Sequence, residues 1–266
     1  MSSGASSVLS GALPGLDPFY RPVHLSETAS TNDDVRRLAG EGALEGTLVW
    51  ADRQTAGRGR RGRRWESPVG NLYLSLLLRP ETPLARAGQV GFMAALAVAE
   101  ATAGLLPGRS VVCKWPNDVL VEGRKVAGLL LESEARRDGT AAWLVLGVGI
   151  NVESHPEGME FPATSLRGQG AAVGVPDVLT AFGNHFVGWY RRWRKEGFAP
   201  VRDAWLARAA GVGGPVRIRL ENSTLDGVFA GLDAEGALLL HRDGEAAPMR
   251  VTAGDLFFPA ALSGTV

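Results

Sequence analysis

The chain has 266 residues, with 28 basic and 28 acidic side chains, so its formal net charge is zero. Hydrophobic residues make up 45% and charged residues 21%, the profile of a globular protein with one sizeable core and room for a small second unit. Neutrality argues against a dedicated nucleic-acid binder, and the single cysteine, Cys113, excludes an internal disulfide and fits a reducing cytoplasm. The most apolar stretch, Gly91 to Leu106, is broken by Glu100 and reads as too short to span a bilayer.

Residues 1–19 are rich in Ser, Gly and Ala and read as a disordered leader, with order beginning near Tyr20. Val23 to Leu25 predicts a short strand. Ser30-Thr31-Asn32-Asp33-Asp34, followed by Val35 and Leu38, marks a helix start. Ser30 and Thr31 serve there either as N-cap residues or as polar contacts to a small ligand. Gly46 to Ala51 predicts a buried strand that leads into Gln54 to Trp65. Three glycines and five arginines fall between Gly57 and Arg64. Glycine lets a backbone approach a ligand closely, and arginine offers a planar fork for phosphate and carboxylate oxygens. Such a loop suits a nucleoside phosphate or acyl phosphate, and equally a nucleic acid.

Asn71 to Arg79 alternates, with Leu72, Leu74, Leu76 and Leu78 on one side, and predicts a strand with one buried face. Leu84 to Leu105 predicts a long buried helix. Ser110–Lys114, Val119–Glu122, Lys125–Glu134 and Thr140–Asn151 predict strands joined by short turns, which gives an antiparallel or mixed sheet and not a doubly wound one. Residues 153–174 read as loop, and Asp177–Lys195 and Pro200–Ala210 as helices. After the Gly211–Pro215 break, four short strands predict a small β-barrel. The fold class is therefore α+β, a mixed/antiparallel sheet with helices plus a small C-terminal β-barrel. The boundaries are 1–19 leader, 20–211 main domain and 212–266 barrel.

Three further clusters carry chemistry. Lys114-Trp115-Pro116-Asn117-Asp118 is a turn at a strand exit or part of a site. Arg124-Lys125-Val126-Ala127-Gly128 places a lysine beside small residues, either solvated or reaching a carboxylate or phosphate. Gly147-Val148-Gly149-Ile150-Asn151 puts two glycines in a strand, a pattern that marks close approach by a ligand. Zinc, Walker A and nucleophile-elbow patterns are absent from the sequence.

In order and spacing, Ser30-Thr31-Asn32, Gln54–Trp65, Lys114–Asp118, Arg124–Gly128 and Gly147–Asn151 resemble the biotin protein ligases. The resemblance implies a class II synthetase-like catalytic domain and an SH3-like C-terminal barrel. It also implies ATP-dependent biotinylation of one lysine on the biotin carboxyl carrier protein of a carboxylase, through biotinoyl-5′-AMP, with Mg2+. Residue by residue, it assigns Ser30, Thr31, Asn32, Gln54, Gly57, Arg58, Gly59, Arg60, Lys125 and Gly128 to biotin. Arg58, Arg61, Arg63, Trp65, Asn117, Lys125 and Asn151 go to ATP, and Lys125, Arg58 and Asp118 to catalysis. Mg2+ ligands are not identified. About 29 residues precede Ser30, too few for the DNA-binding domain of bifunctional members. The monofunctional type, without DNA or membrane partners, is therefore expected, and a homodimer is compatible with the family. A lipoate or octanoate ligase and an Arg-Gly nucleic-acid binder are the competing readings.

Overall fold

The computed structural model describes residues 8–9 and 13–259; the expectations for residues 1–7, 10–12 and 260–266 lie outside it. In chain order the main unit contains β1 (Val8–Leu9), β2 (Arg21–Thr28), α1 (Thr31–Gly40), β3 (Thr47–Gln54), β4 (Leu72–Leu78) and α2 (Gln89–Leu105). It continues through β5 (Val111–Lys114), β6 (Asp118–Val121), β7 (Arg124–Ala135), β8 (Ala141–Ile150), α3 (Val175–Glu196) and α4 (Ala199–Leu206). The strands form one sheet ordered β1-β2-β3-β4-β8-β7-β6-β5. Only β2 and β3 pair in parallel, with α1 as their crossover; every other ladder is antiparallel. The mixed sheet expected from the short turns is therefore present.

Period-two alternation divides the side chains of this sheet. Leu48, Leu72, Leu74, Leu76, Leu144, Leu146 and Val148 point to one face and join the main core with α2, α3 and α4. The opposite face carries Val49, Leu77 and Val145, which α1 covers with Val35 and Ala39. β4 is thus buried on both faces, not one as its alternation suggested. Arg79 follows it and donates to the carbonyls of Ala39, Ala43 and Ala142, closing the end of α1.

α2 is apolar on every side because it is surrounded. The stretch Leu84–Leu105 is long and apolar enough to cross a membrane, contrary to the sequence reading, but 67% of its apolar 18-residue window is buried inside the fold. It is the central helix of the core.

Residues 13–19 are not a free leader. Asp17 forms a two-pronged pair with Arg191, 2.9 Å on each side. Asn184 bridges Gly15 and Asp17. Leu16 fills the space left by Gly183, where an added Cβ would lie 2.7 Å from Leu16 Cδ1. A complementary surface on α3, distant in sequence, orders this segment.

The C-terminal unit contains β9 (Pro215–Arg219), β10 (Thr224–Leu232), β11 (Leu238–His241), β12 (Met249–Val251) and β13 (Asp255–Phe257), ordered β12-β11-β10-β9-β13 and antiparallel throughout. β13 was not anticipated: three residues are too few to show alternation. Trp205 of α4 meets Phe229 of β10 at 6.5 Å, so the two units share one continuous core.

Candidate active site

Small residues line the α1-side face where β4, β8 and β7 run together. Ser75 pairs in register with Gly147, which pairs with Leu130; Gly149 pairs with Gly128. With glycine at 128, 147 and 149, the sheet forms the floor of a cavity of about 460 Å³. The chain itself comes closest to these glycines. A Cβ at Gly149 would lie 2.6 Å from the Trp65 indole, one at Gly128 2.9 Å from it, and one at Gly147 2.3 Å from Asn32 Oδ1. The close approach that two strand glycines implied is therefore made first by Trp65 and Asn32. Trp65 lies flat on the floor with its indole N–H buried and unpartnered. A donor in that position calls for an acceptor.

At one end, α1 presents its N-terminus. Ser30 is the N-cap but caps only through its carbonyl; its hydroxyl makes no cap bond and faces the cavity. Gln54 Oε1 accepts from the Thr31 amide (2.9 Å) and hydroxyl (3.1 Å), while its amide donates to Ser67. The Ser75 hydroxyl lies 2.8 Å from Thr31 Oγ1 and donates to Asn32 Oδ1 at 2.5 Å. Asn32 Nδ2 donates to Glu132 at 2.7 Å. The side chains assigned to one ligand by sequence are thus a preformed polar wall.

The other end carries cations. Lys125 Nζ sits 2.5 Å from Asp118 Oδ1, and Lys114 Nζ sits 3.6 Å from Oδ2. Lys114 is buried beneath Phe161, 4.1 Å from the ring centroid. Burial pulls its ammonium below the usual lysine range; Asp118 opposes this and Lys125 adds to it. Two lysines share one carboxylate, which leaves positive charge for an anion. The backbone of Lys125 is fixed by exchange with Pro162 and Thr164. Asn117 and Asn151 line the cavity, yet each donates its amide to a carbonyl, of Leu129 and Thr164 respectively. Both brace the wall.

The Arg-rich loop closes over this floor as a hairpin. Trp65 N donates to Gly57 O and Gly59 N to Arg63 O. Gly57 does not line the cavity; its lack of a side chain lets the hairpin close, since a Cβ would meet Trp65 O at 2.5 Å. Arg58 reaches Asp33 (2.7 Å) and Glu132 (3.4 Å), and Arg60 reaches Asn117 and Gly254 O. Arg61 and Arg63 turn to Asp255, and Arg61 lies outside the cavity lining. Burial disfavours the Asp255 carboxylate, but hydrogen bonding from Arg63 and the charges of Arg63, Arg61 and Arg60 outweigh it and hold the carboxyl below its ordinary value. The tie is therefore complete at neutral pH and is lost only as pH falls through that lowered value.

Six basic and four acidic side chains line the cavity, an excess of two positive charges. Sequence reasoning missed Ser75, Glu132, Asp255 and Phe161, and left Lys114 without a role. Glu132 was legible by its period-two register with Gly128 and Leu130. Asp255 was not, because it belongs to another unit. Among the described residues no cluster of three or more His, Cys, Asp or Glu could hold a metal ion. Of the four cavity carboxylates, Asp118, Asp255 and Glu160 are each paired with Lys or Arg, and Glu66 with neither among the described residues.

A polar pocket and two lysines on one carboxylate lie under one Arg-rich hairpin, an arrangement suited to an enzyme that joins an acid to a phosphate. The sequence profile of the biotin/lipoate A/B protein ligase family matches residues 27–151, and that of the biotin protein ligase C-terminal domain matches residues 212–258. The biotin–[acetyl-CoA-carboxylase] ligase of Paracoccus denitrificans is 40% identical over 242 residues, which is 88% of this chain and 99% of that protein. The bifunctional ligase/repressor BirA of Bacillus subtilis is 40% identical over 223 residues, 80% of this chain and 66% of that protein. The biotin protein ligase of Aquifex aeolicus, solved with biotin and ATP, superimposes with a TM-score of 0.76 at 29% identity, covering 90% of this chain and 98% of that one. The chain belongs to the biotin/lipoate A/B protein ligase family, on the biotin protein ligase branch.

Proposed function

We propose that this chain activates biotin with MgATP and transfers it to one lysine of a biotin carboxyl carrier protein or domain. In the first step a biotin carboxylate oxygen attacks the α-phosphorus of ATP and pyrophosphate leaves, giving biotinoyl-5′-AMP. In the second, the carrier lysine's neutral amine attacks the acyl carbon, AMP leaves and the amine proton is lost. The observation that carries this reading is the pairing of Lys125 and Lys114 with the single carboxylate of Asp118 beside a preformed polar wall.

Ser30, Thr31, Asn32 and Gln54 form the wall for the biotin head, with Gly128 and the Gly59–Arg60 backbone beside it. Lys125 bridges the carboxylate and the α-phosphate, two anions that repel each other without a cation between them. Asp118 aims Lys125 at them. Arg58 covers the carboxylate; Arg60, Arg61 and Arg63 gather the phosphates once they exchange their present partners. Trp65 packs on adenine, and Asn117 and Asn151 hold the nucleotide end in shape. Mg2+ would come with ATP and would neutralise phosphate charge, the described residues offering it no cluster of ligands of their own. The lid keeps water from the mixed anhydride, which hydrolyses readily.

Residues 20–211 act as the catalytic domain and 212–266 as a C-terminal unit that anchors the lid through Asp255. Arg58, Arg60, Arg61 and Arg63 are engaged by Asp33, Glu132, Asn117 and Asp255 of the same chain, which favours a nucleotide lid over a DNA-binding surface. The reading places the protein in the cytoplasm, where ATP and carboxylases meet.

Within the family the competing substrate is lipoate. Thermal unfolding separates them: biotin with MgATP is expected to raise the unfolding temperature by several degrees, and lipoate with MgATP to leave it within about one degree, because only a tightly bound ligand shifts stability. The reverse ranking would make this a lipoate ligase.

A further inference from the structure

Glu132 lies on β7 in the same period-two register as Gly128 and Leu130 of the cavity floor, where β6 no longer pairs with β7. It sits beneath the N-terminus of α1 and faces the buried amide of Asn32, 2.7 Å away. A carboxylate only accepts hydrogen bonds. Asn32 must therefore turn its NH2 toward Glu132 and its carbonyl toward Ser75, which donates at 2.5 Å. Gly147 makes room for the amide, since a Cβ there would lie 2.3 Å from Asn32 Oδ1. The same carboxylate lies 3.4 Å from Arg58 Nη2. Asp33, the other partner of Arg58, also holds Arg36 at 2.6 Å. Glu132 is thus where the polar wall and the lid meet.

We propose that Glu132 is a positioning residue for the biotin reaction. It acts through Asn32, whose amide it locks in one orientation, and through Arg58, which it seats at the base of the lid. It sets biotin affinity and retention of the intermediate, not the chemistry of acyl transfer. This rests on the assignment of Ser30, Thr31, Asn32 and Gln54 to biotin given above.

Two variants separate the two actions. Glu132→Leu removes the acceptor, so the amide is free to flip and present the wrong group. Glu132→Gln keeps an oxygen for Asn32 but no charge for Arg58. In biotin-dependent ATP–pyrophosphate exchange, Glu132→Leu is expected to raise the KM for biotin at least about tenfold, the scale for a lost charged hydrogen-bond partner, with kcat and the KM for ATP within about threefold. Glu132→Gln is expected to restore the biotin KM to within about threefold of the unmodified enzyme. It is also expected to release biotinoyl-AMP at least about threefold faster after the first step.

Unchanged biotin KM in Glu132→Leu, or equal KM defects in both variants, would overturn the proposal. So would unchanged release from Glu132→Gln. If Glu132→Leu does not fold, the Gln variant decides alone, by its biotin KM and its release rate. Absence of biotin-dependent exchange in the unmodified enzyme would instead remove the biotin reading itself.

Discussion

Lys125→Ala is expected to leave the unfolding temperature nearly unchanged and to cut biotinoyl-AMP formation at least about a hundredfold, the scale for losing one preorganised charge contact in a transition state. The structure separates the two effects. The Lys125 side chain is partly open to the cavity, and its ion pair with Asp118 is one of two, since Lys114 stays on the same carboxylate. Its backbone bonds to Pro162 and Thr164 do not depend on the side chain. The fold therefore keeps its supports while the active site loses the cation between two anions. Pyrophosphate exchange within about fivefold of the unmodified enzyme would remove Lys125 from its assigned role.

The second large effect comes from a residue with no functional group. Gly147→Val puts a side chain where a Cβ already falls 2.3 Å from Asn32 Oδ1, 3.1 Å from its Cγ and 3.2 Å from its Nδ2. Asn32 is held by Ser75 on one side and Glu132 on the other, and it is buried. It must leave its position or push α1 off the sheet. Valine suits a strand better than glycine does, so any loss of stability measures the collision and not propensity. Overpacking of this kind costs about 1–3 kcal/mol. The biotin KM is expected to rise at least about a hundredfold, with a clearly smaller change for ATP. A biotin KM within about threefold of normal would mean that Asn32 does not form the biotin wall.

The sequence was most legible where one periodicity served one purpose. The alternating leucines of β4 and the turns at Gly123 and Gly139 placed the strands and their antiparallel order. The polar signature of the loop and the Lys114–Asp118 and Lys125 clusters were also readable, because charge and glycine at that density need a local reason. What failed was whatever depends on a distant partner. Residues 13–19 looked featureless until α3 supplied Arg191, Asn184 and the gap at Gly183. Ser75 looked like the solvent side of a strand, yet it is fully buried, with Thr31 and Asn32 of α1 on its hydroxyl.

The glycines of β8 were read correctly as a sign of close approach, but not by what. Trp65 and Asn32 reach them first, and both belong to segments more than eighty residues away. The composition of the loop marked it as a place for an anion without saying which, and the lid reading came with the resemblance. Its anchor was not legible, because Asp255 sits on a three-residue strand of another unit and has no sequence link to Arg61 and Arg63.

The most direct measurement is ATP–pyrophosphate exchange by the purified chain with and without biotin, followed by addition of a biotin carboxyl carrier domain. Exchange is expected only with biotin, together with biotin attached to a single lysine of the carrier once that domain is added. Exchange driven by lipoate but not biotin, or none with either acid, would contradict the assignment.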